Sequence, residues 1–202
     1  MSGESDPRAV QPFLPGRLGD PTRVLKTEPR ADPRMVAALA EVGFDVAPEP
    51  APVTAESPIE EIREFIAMVE PGYQDLFKAW FTDLPPIDNV ERRTEVIKGA
   101  DGNDIKLYVH RPRHASGSLP CVYHVHGGGM VLLEAADTPY VRWRDELATA
   151  GMVVVGVEFR NGAGNLGNHP FPSGLNDCMS GLQCTFDNKA ALGVSKIVVS
   201  GE

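Results

Sequence analysis

The chain has 202 residues, enough for one ordinary globular domain, and its 20 glycines and 18 prolines argue for many turns and against a plain helical bundle. A net charge of −9 excludes binding to nucleic acid by phosphate neutralisation. The apolar stretches are strand-sized, so no membrane span is expected, and three cysteines without a secretory signal predict a reducing, cytoplasmic setting.

The charge is unevenly placed. Residues 1–44 are balanced, with six acids and six bases, whereas residues 45–90 hold ten acids against Arg63 and Lys78. The remaining 112 residues carry a net of −1. Three parts are expected: an N-terminal arm over 1–31, a helical cap or lid over 32–89, and a core over 90–202.

Helical signals come first. Asp32 can cap, Pro33 fits the first turn, and Met35, Ala38, Leu39 and Val42 share one face up to Gly43. Ser57-Pro58-Ile59-Glu60 reads as a capping box opening the stripe Ile59, Ile62, Phe65, Ile66 and Val69, which Pro71 is expected to end. A further stripe, Tyr73, Leu76, Phe77, Trp80 and Phe81, closes at Pro85-Pro86. Its aromatic face suits packing or the roof of a substrate pocket, and the sequence leaves both open.

From Val90 the period changes. Thr94–Ile97, the turn Asp101-Gly102, and Ile105–Val109 predict a hairpin of half-buried strands. Cys121–Val125 is a buried strand running into His126-Gly127-Gly128-Gly129. Thr138-Pro139 opens a helix with Tyr140, Trp143, Leu147 and Ala148 inward, stopped by Gly151. Met152–Phe159 is a continuous apolar strand of the kind covered on both faces. Leu175, Met179, Leu182 and Phe186 form the next helical stripe, and Ile197-Val198-Val199 is expected to be a buried strand. Strand, helix, strand, helix, strand calls for an α/β fold with a mostly parallel sheet flanked by helices.

The chemistry is expected at His126-Gly127-Gly128-Gly129. Glycines let the backbone turn sharply and bring amide N–H groups to a ligand, and two such donors aimed at one oxygen would stabilise a developing negative charge. A glycine turn that merely starts the next helix is the alternative. Gly201-Glu202, directly after a β-branched strand, matches the opening of a nucleophile elbow, G-x-S-x-G.

With these pieces the stretch 119–202 resembles the α/β-hydrolases of the hormone-sensitive-lipase-like esterase family. The resemblance rests on the H-G-G-G at 126–129, Val157-Glu158-Phe159-Arg160, His169-Pro170-Phe171-Pro172, Leu175-Asn176-Asp177-Cys178 and Gly201-Glu202. Weaker similarity reaches back to about Asp32, where the family carries a helical cap. The resemblance implies an α/β-hydrolase fold of which this chain is the N-terminal part. It implies an oxyanion hole from the N–H groups of Gly128 and Gly129, on a loop shaped by His126 and Gly127. It also implies a Ser-His-Asp/Glu triad lying beyond Glu202, so no catalytic triad residue is expected within the chain.

The linker departs from the family's Y-R-L-A-P-E. It reads Phe159-Arg160-Asn161-Gly162-Ala163-Gly164-Asn165-Leu166-Gly167-Asn168, four residues longer and without an acid. Arg160 therefore needs another partner, and Asp177 is the candidate. A metal pair at His124 and His126, with Asp137 or His169, is disfavoured because triple glycine has no role in holding zinc. Ser200 precedes the elbow glycine and is a poor nucleophile.

The expected activity is serine carboxylesterase, acting on uncharged esters. The expected partners are a small-molecule ester and the remainder of the same polypeptide, with no cofactor, metal, nucleic acid or membrane and a homodimer left open. A non-catalytic small-molecule receptor and a lyase or dehydratase on the same site are the alternatives.

Overall fold

The computed structural model describes residues 23–202, so most of the arm expected over 1–31 lies outside the described residues. Two compact units divide between Pro52 and Val53. In the first, helix α1 (Pro33–Ala40) starts as its sequence predicts, with the Asp32 carboxylate accepting the Arg34 amide at 2.9 Å. Val36, Leu39 and Val42 are half-buried, but Met35 and Ala38 are exposed, so the inward face is rotated from the expected one.

The second unit begins with α2 (Ile59–Phe81), a single 23-residue helix where two had been expected. Pro71 sits inside it. A proline there removes one helical hydrogen bond and costs about 3 kcal/mol. Tertiary bonds straddling the proline offset that cost. On one side the Glu70 carboxyl is fully buried and hydrogen-bonded, and on the other the Gln74 amide donates to Asp137 at 3.0 Å. The capping box does not form, because Pro58 is the N-cap and Ser57 lies one position too early. The Ser57 hydroxyl instead accepts the Thr54 amide, and Glu60 pairs with Arg63.

Five strands form one sheet in the order β1-β2-β4-β3-β5. Strands β1 (Val90–Lys98) and β2 (Asp104–Pro112) are the predicted hairpin, longer at both ends, with Thr94 opposite Tyr108. Strand β2 also runs antiparallel to β4 (Val153–Val157), whereas β3 (Leu119–Val125) runs parallel to both β4 and β5 (Val194–Gly201). The buried run in β4 is the strand whose apolar pattern was continuous. The chain has the mostly parallel, helix-flanked architecture that its element order calls for.

Alternation along the strands sorts two faces. Leu107, Val109, Cys121, Tyr123, Val153, Val155 and Val157 point to one side and form the apolar core with Cys178 of α4 (Ser173–Asp187). Here the inward face of α4 differs from expectation. Gly174, Asp177, Cys178, Gly181 and Thr185 are buried, while Leu175, Met179 and Phe186 are exposed. The reason is close approach: a Cβ on Gly181 would lie 2.3 Å from the Tyr123 hydroxyl, which donates to the Cys178 carbonyl at 2.8 Å. Larger residues on that face would push the helix off the sheet. A short helix, α5 (Lys189–Leu192), leads into β5, where Val198 and Val199 are 59% and 55% exposed rather than buried.

The opposite sheet face meets α3 (Thr138–Thr149), whose Tyr140 and Ala148 are buried as predicted. Arg144 and Asp145 are buried as well. Arg144 donates to the Ala135 carbonyl at 2.7 Å and to His110 Nε2 at 3.2 Å, and Asp145 binds His110 Nδ1 at 2.8 Å and Arg92 at 2.8 and 2.9 Å. Since His110 Nε2 accepts from Arg144, its proton sits on Nδ1 and is donated to Asp145. Burial, with the nearby Arg144 charge, depresses the His110 pKa despite Asp145.

Candidate active site

Strand β3 delivers His124 and His126 to the end of the sheet. His124 is buried and lies against Trp143, ring centroids 4.5 Å apart. His126 stacks on Phe159 at 4.2 Å and 12°, and its Nδ1 lies 2.7 Å from the Gly127 carbonyl, to which it donates. Burial, reinforced by the Arg144 charge, lowers the pKa to about 3 for His124 and to about 4 for His126. Both rings are therefore neutral near pH 7. No group of three or more histidine, cysteine, aspartate or glutamate side chains assembles among the described residues in a way suited to a metal ion.

The chain turns sharply after His126. Gly128 has φ +105 and Gly129 φ +64, both in the region that side chains rarely adopt. At Gly128 the space is closed too, since a Cβ would fall 2.1 Å from the Leu132 carbonyl oxygen. That carbonyl belongs to the tight turn in which the Val131 and Leu132 amides donate to the Gly128 carbonyl at 3.0 and 3.3 Å. Among the described residues, the amides of Gly128 and Gly129 donate to no other backbone group.

The two pieces that the sequence singled out meet here. The Gly127 Cα faces Glu202, whose Cβ would lie 3.5 Å from an added methyl, and the Glu202 carboxyl lies 3.2 Å from His124 Nε2. Burial raises the Glu202 pKa above the ordinary carboxylate value. Parallel pairing of β3 with β5, Val125 opposite Gly201, brings the glycine corner beside the strand end.

The long linker after Arg160 cradles the corner. The Gly162 and Ala163 amides donate to the Met130 and Val131 carbonyls, each at 2.9 Å, and the buried Asn161 amide side chain donates to the Leu133 carbonyl at 2.7 Å. Arg160 finds the expected partner: it grips Asp177 through Nε (2.8 Å) and Nη2 (2.9 Å), and its backbone amide donates to the same carboxylate at 2.9 Å. Burial alone would raise the Asp177 pKa, but the Arg160 hydrogen bonds outweigh it and hold the group below the usual carboxylate range. His169 is exposed, with its amide tied to the Asn161 carbonyl.

Sequence reasoning missed the polar groups buried behind the corner. Glu158 accepts from the Ala135 amide at 2.6 Å and the Tyr108 hydroxyl at 2.9 Å, and burial raises its pKa. Glu70 is the other. Its signal was present, since it follows Val69 on the apolar stripe of α2, where an acid is out of place.

Comparison with known proteins agrees with this architecture. Residues 122–202 match a family model described as the alpha/beta hydrolase fold. Brefeldin A esterase, described as a bacterial homologue of human hormone sensitive lipase, superposes with a TM-score of 0.85 at 41% identity, over 93% of this chain and 52% of that one. Esterase Est22 gives a TM-score of 0.74 at 29% identity, over 89% and 53% of the two chains. Carboxylesterase NlhH of Mycobacterium tuberculosis is 34% identical over 123 residues, 59% of this chain and 36% of that protein. Tuliposide A-converting enzyme b1 of Tulipa gesneriana is 26% identical over 144 residues, 70% of this chain and 37% of that protein. The chain thus spans about half the length of those solved structures, and its matches just over a third of the curated relatives.

This is an α/β-hydrolase fold. Within that fold, the chain is similar to esterases such as brefeldin A esterase, itself described as a bacterial homologue of human hormone sensitive lipase.

Proposed function

We propose that the protein to which this chain belongs is a serine carboxylesterase for uncharged esters of short to medium acyl chains. The observation that carries the reading is the glycine corner, where two amides without a backbone acceptor among the described residues stand beside the strand end that matches a nucleophile elbow. A serine following Glu202 attacks the ester carbonyl, a histidine further along takes its proton and returns it to the leaving alcohol, and water then releases the acid. The Gly128 and Gly129 amides donate to the carbonyl oxygen as it gains charge, the term that usually dominates such catalysis. The acidic run between Asp45 and Asp88 favours neutral over anionic esters by repulsion.

The test is hydrolysis of a p-nitrophenyl ester by protein made from the complete coding sequence, with labelling by a fluorophosphonate probe. Release of free acid and one labelled serine directly after Glu202 support the reading. Binding without acid release or labelling would show a receptor, and turnover of a non-ester without acid release would show a lyase.

A further inference from the structure

The turn from Gly128 to Leu133 holds more strain than glycine alone accounts for. Met130 has φ +58 and Leu133 φ +73, two side-chain-bearing residues in the left-handed region only three apart. Such conformations are costly and persist where surrounding structure fixes them. Most of that structure is the linker over 161–168, but one contact comes from far along the chain. The Glu70 side chain, fully buried on α2, accepts the Leu133 amide at 2.6 Å through Oε1 and the Asn165 amide at 2.7 Å through Oε2.

We propose that Glu70 is a positioning residue for the oxyanion-binding corner: one carboxyl group clamps the strained end of the glycine turn to the linker that cradles it. The inference rests on the esterase reading above. Removing the clamp frees the buried Leu133 amide and the part-buried Asn165 amide at once, and the turn has a strained conformation to relax from. Space around the group is closed as well. A Cβ on Gly164, itself at φ +69, would fall 2.5 Å from Glu70 Oε2. The linker backbone at Gly164 therefore packs directly against the carboxyl group, with no room for a side chain between them. Since Leu133 lies only four residues beyond Gly129, its displacement carries to the Gly128 and Gly129 amides through a turn closed by the Gly128 carbonyl. The hydrogen-bond partners of Glu70 are main-chain amides of the turn and linker, so its effect falls on the placement of the Gly128 and Gly129 amides, and through them on the transition state more than on substrate binding.

The experiment uses the enzyme expressed from its complete coding sequence. Glu70→Gln keeps the shape but sets an NH2 group against one of the two amides. Two quantities are read: kcat and KM on a p-nitrophenyl ester, and hydrogen exchange at the Leu133 and Asn165 amides. The expected result is a fall in kcat of about 10- to 100-fold with KM changed less than about 2-fold, the range for misplacement of catalytic groups by about an ångström. Affinity for a trifluoromethyl ketone, which mimics the tetrahedral adduct, should fall in parallel, and exchange at the two amides should accelerate. If Glu70→Gln does not fold, Gly164→Ala displaces the same carboxyl from the other side and should give the same kinetic split. An active wild type whose folded variant keeps its kcat overturns the positioning role alone. An inactive wild type overturns the esterase reading and this inference with it.

Discussion

Replacing Asp177 by asparagine keeps the side chain's size and changes what it can accept. In the native protein its two oxygens receive the Arg160 amide, Arg160 Nε and Nη2, and the Asn103 side-chain amide at 2.8–3.0 Å. Asparagine offers one acceptor oxygen, so its NH2 group must face two of those donors, and the charge opposite Arg160 is gone. Breaking a buried pair from one side costs about 3–5 kcal/mol. Arg160 is 21% exposed against 1% for Asp177 and keeps Asp101 at 2.6 Å, so the expectation here is about 2–3 kcal/mol. Urea unfolding at pH 7 measures it, with Arg160→Met and the double variant completing a cycle. The pH dependence adds a second reading. Because the folded pKa of Asp177 is depressed, its contribution is full above the ordinary carboxylate value near pH 4 and is lost as pH falls through the folded value. The gap between wild type and Asp177→Asn should therefore be constant from pH 8 to 5 and shrink below about 4. A difference under about 0.5 kcal/mol, or one that does not shrink in acid, would refute the pairing.

Two other outcomes follow from the site. His124 and His126 have folded pKa values of about 3 and about 4, so below about pH 6.5 the unfolded chain takes up protons that the folded one refuses. Stability should fall by about 1.4 kcal/mol for each of these two histidines at pH 5.5, and His124→Gln should remove its own share of that loss; urea titrations with a flat profile from pH 7.5 to 5.5 would contradict this. Gly128→Ala sets a methyl 2.1 Å from the Leu132 carbonyl at φ +105 and should lower kcat by about 10²–10³-fold in a protein with native circular dichroism, whereas near-native turnover would remove Gly128 from the machinery.

The sheet was legible in the sequence because its strands differ in period: alternation over Thr94–Ile97 and Ile105–Val109 reads as a hairpin, and the unbroken run after Met152 reads as a doubly covered strand. The sharp corner was legible because consecutive glycines at a strand end permit the left-handed backbone found at Gly128 and Gly129. The turn of α4 was only partly so: Leu182 packs against the core as expected, but Leu175, Met179 and Phe186 are exposed while Gly181 and Cys178 face the sheet. Residue hydrophobicity carries no information about how near Tyr123 lets a helix come. Pro71 misled for a related reason, because the bonds that keep α2 continuous come from Asn165, Leu133 and Asp137, 62 or more positions away in the chain. Buried Arg144 escapes pattern reading in the same way, since its partners, the Ala135 carbonyl and the His110 ring, leave no local mark in the sequence.

The most direct measurement is a crystal structure of the protein from its complete coding sequence carrying a covalent phosphonate. The phosphoryl oxygen should lie about 2.7–3.1 Å from both the Gly128 and Gly129 amide nitrogens, with phosphorus bonded to the residue after Glu202. An adduct whose oxygen points to other donors, with the glycine amides turned elsewhere, would contradict the account.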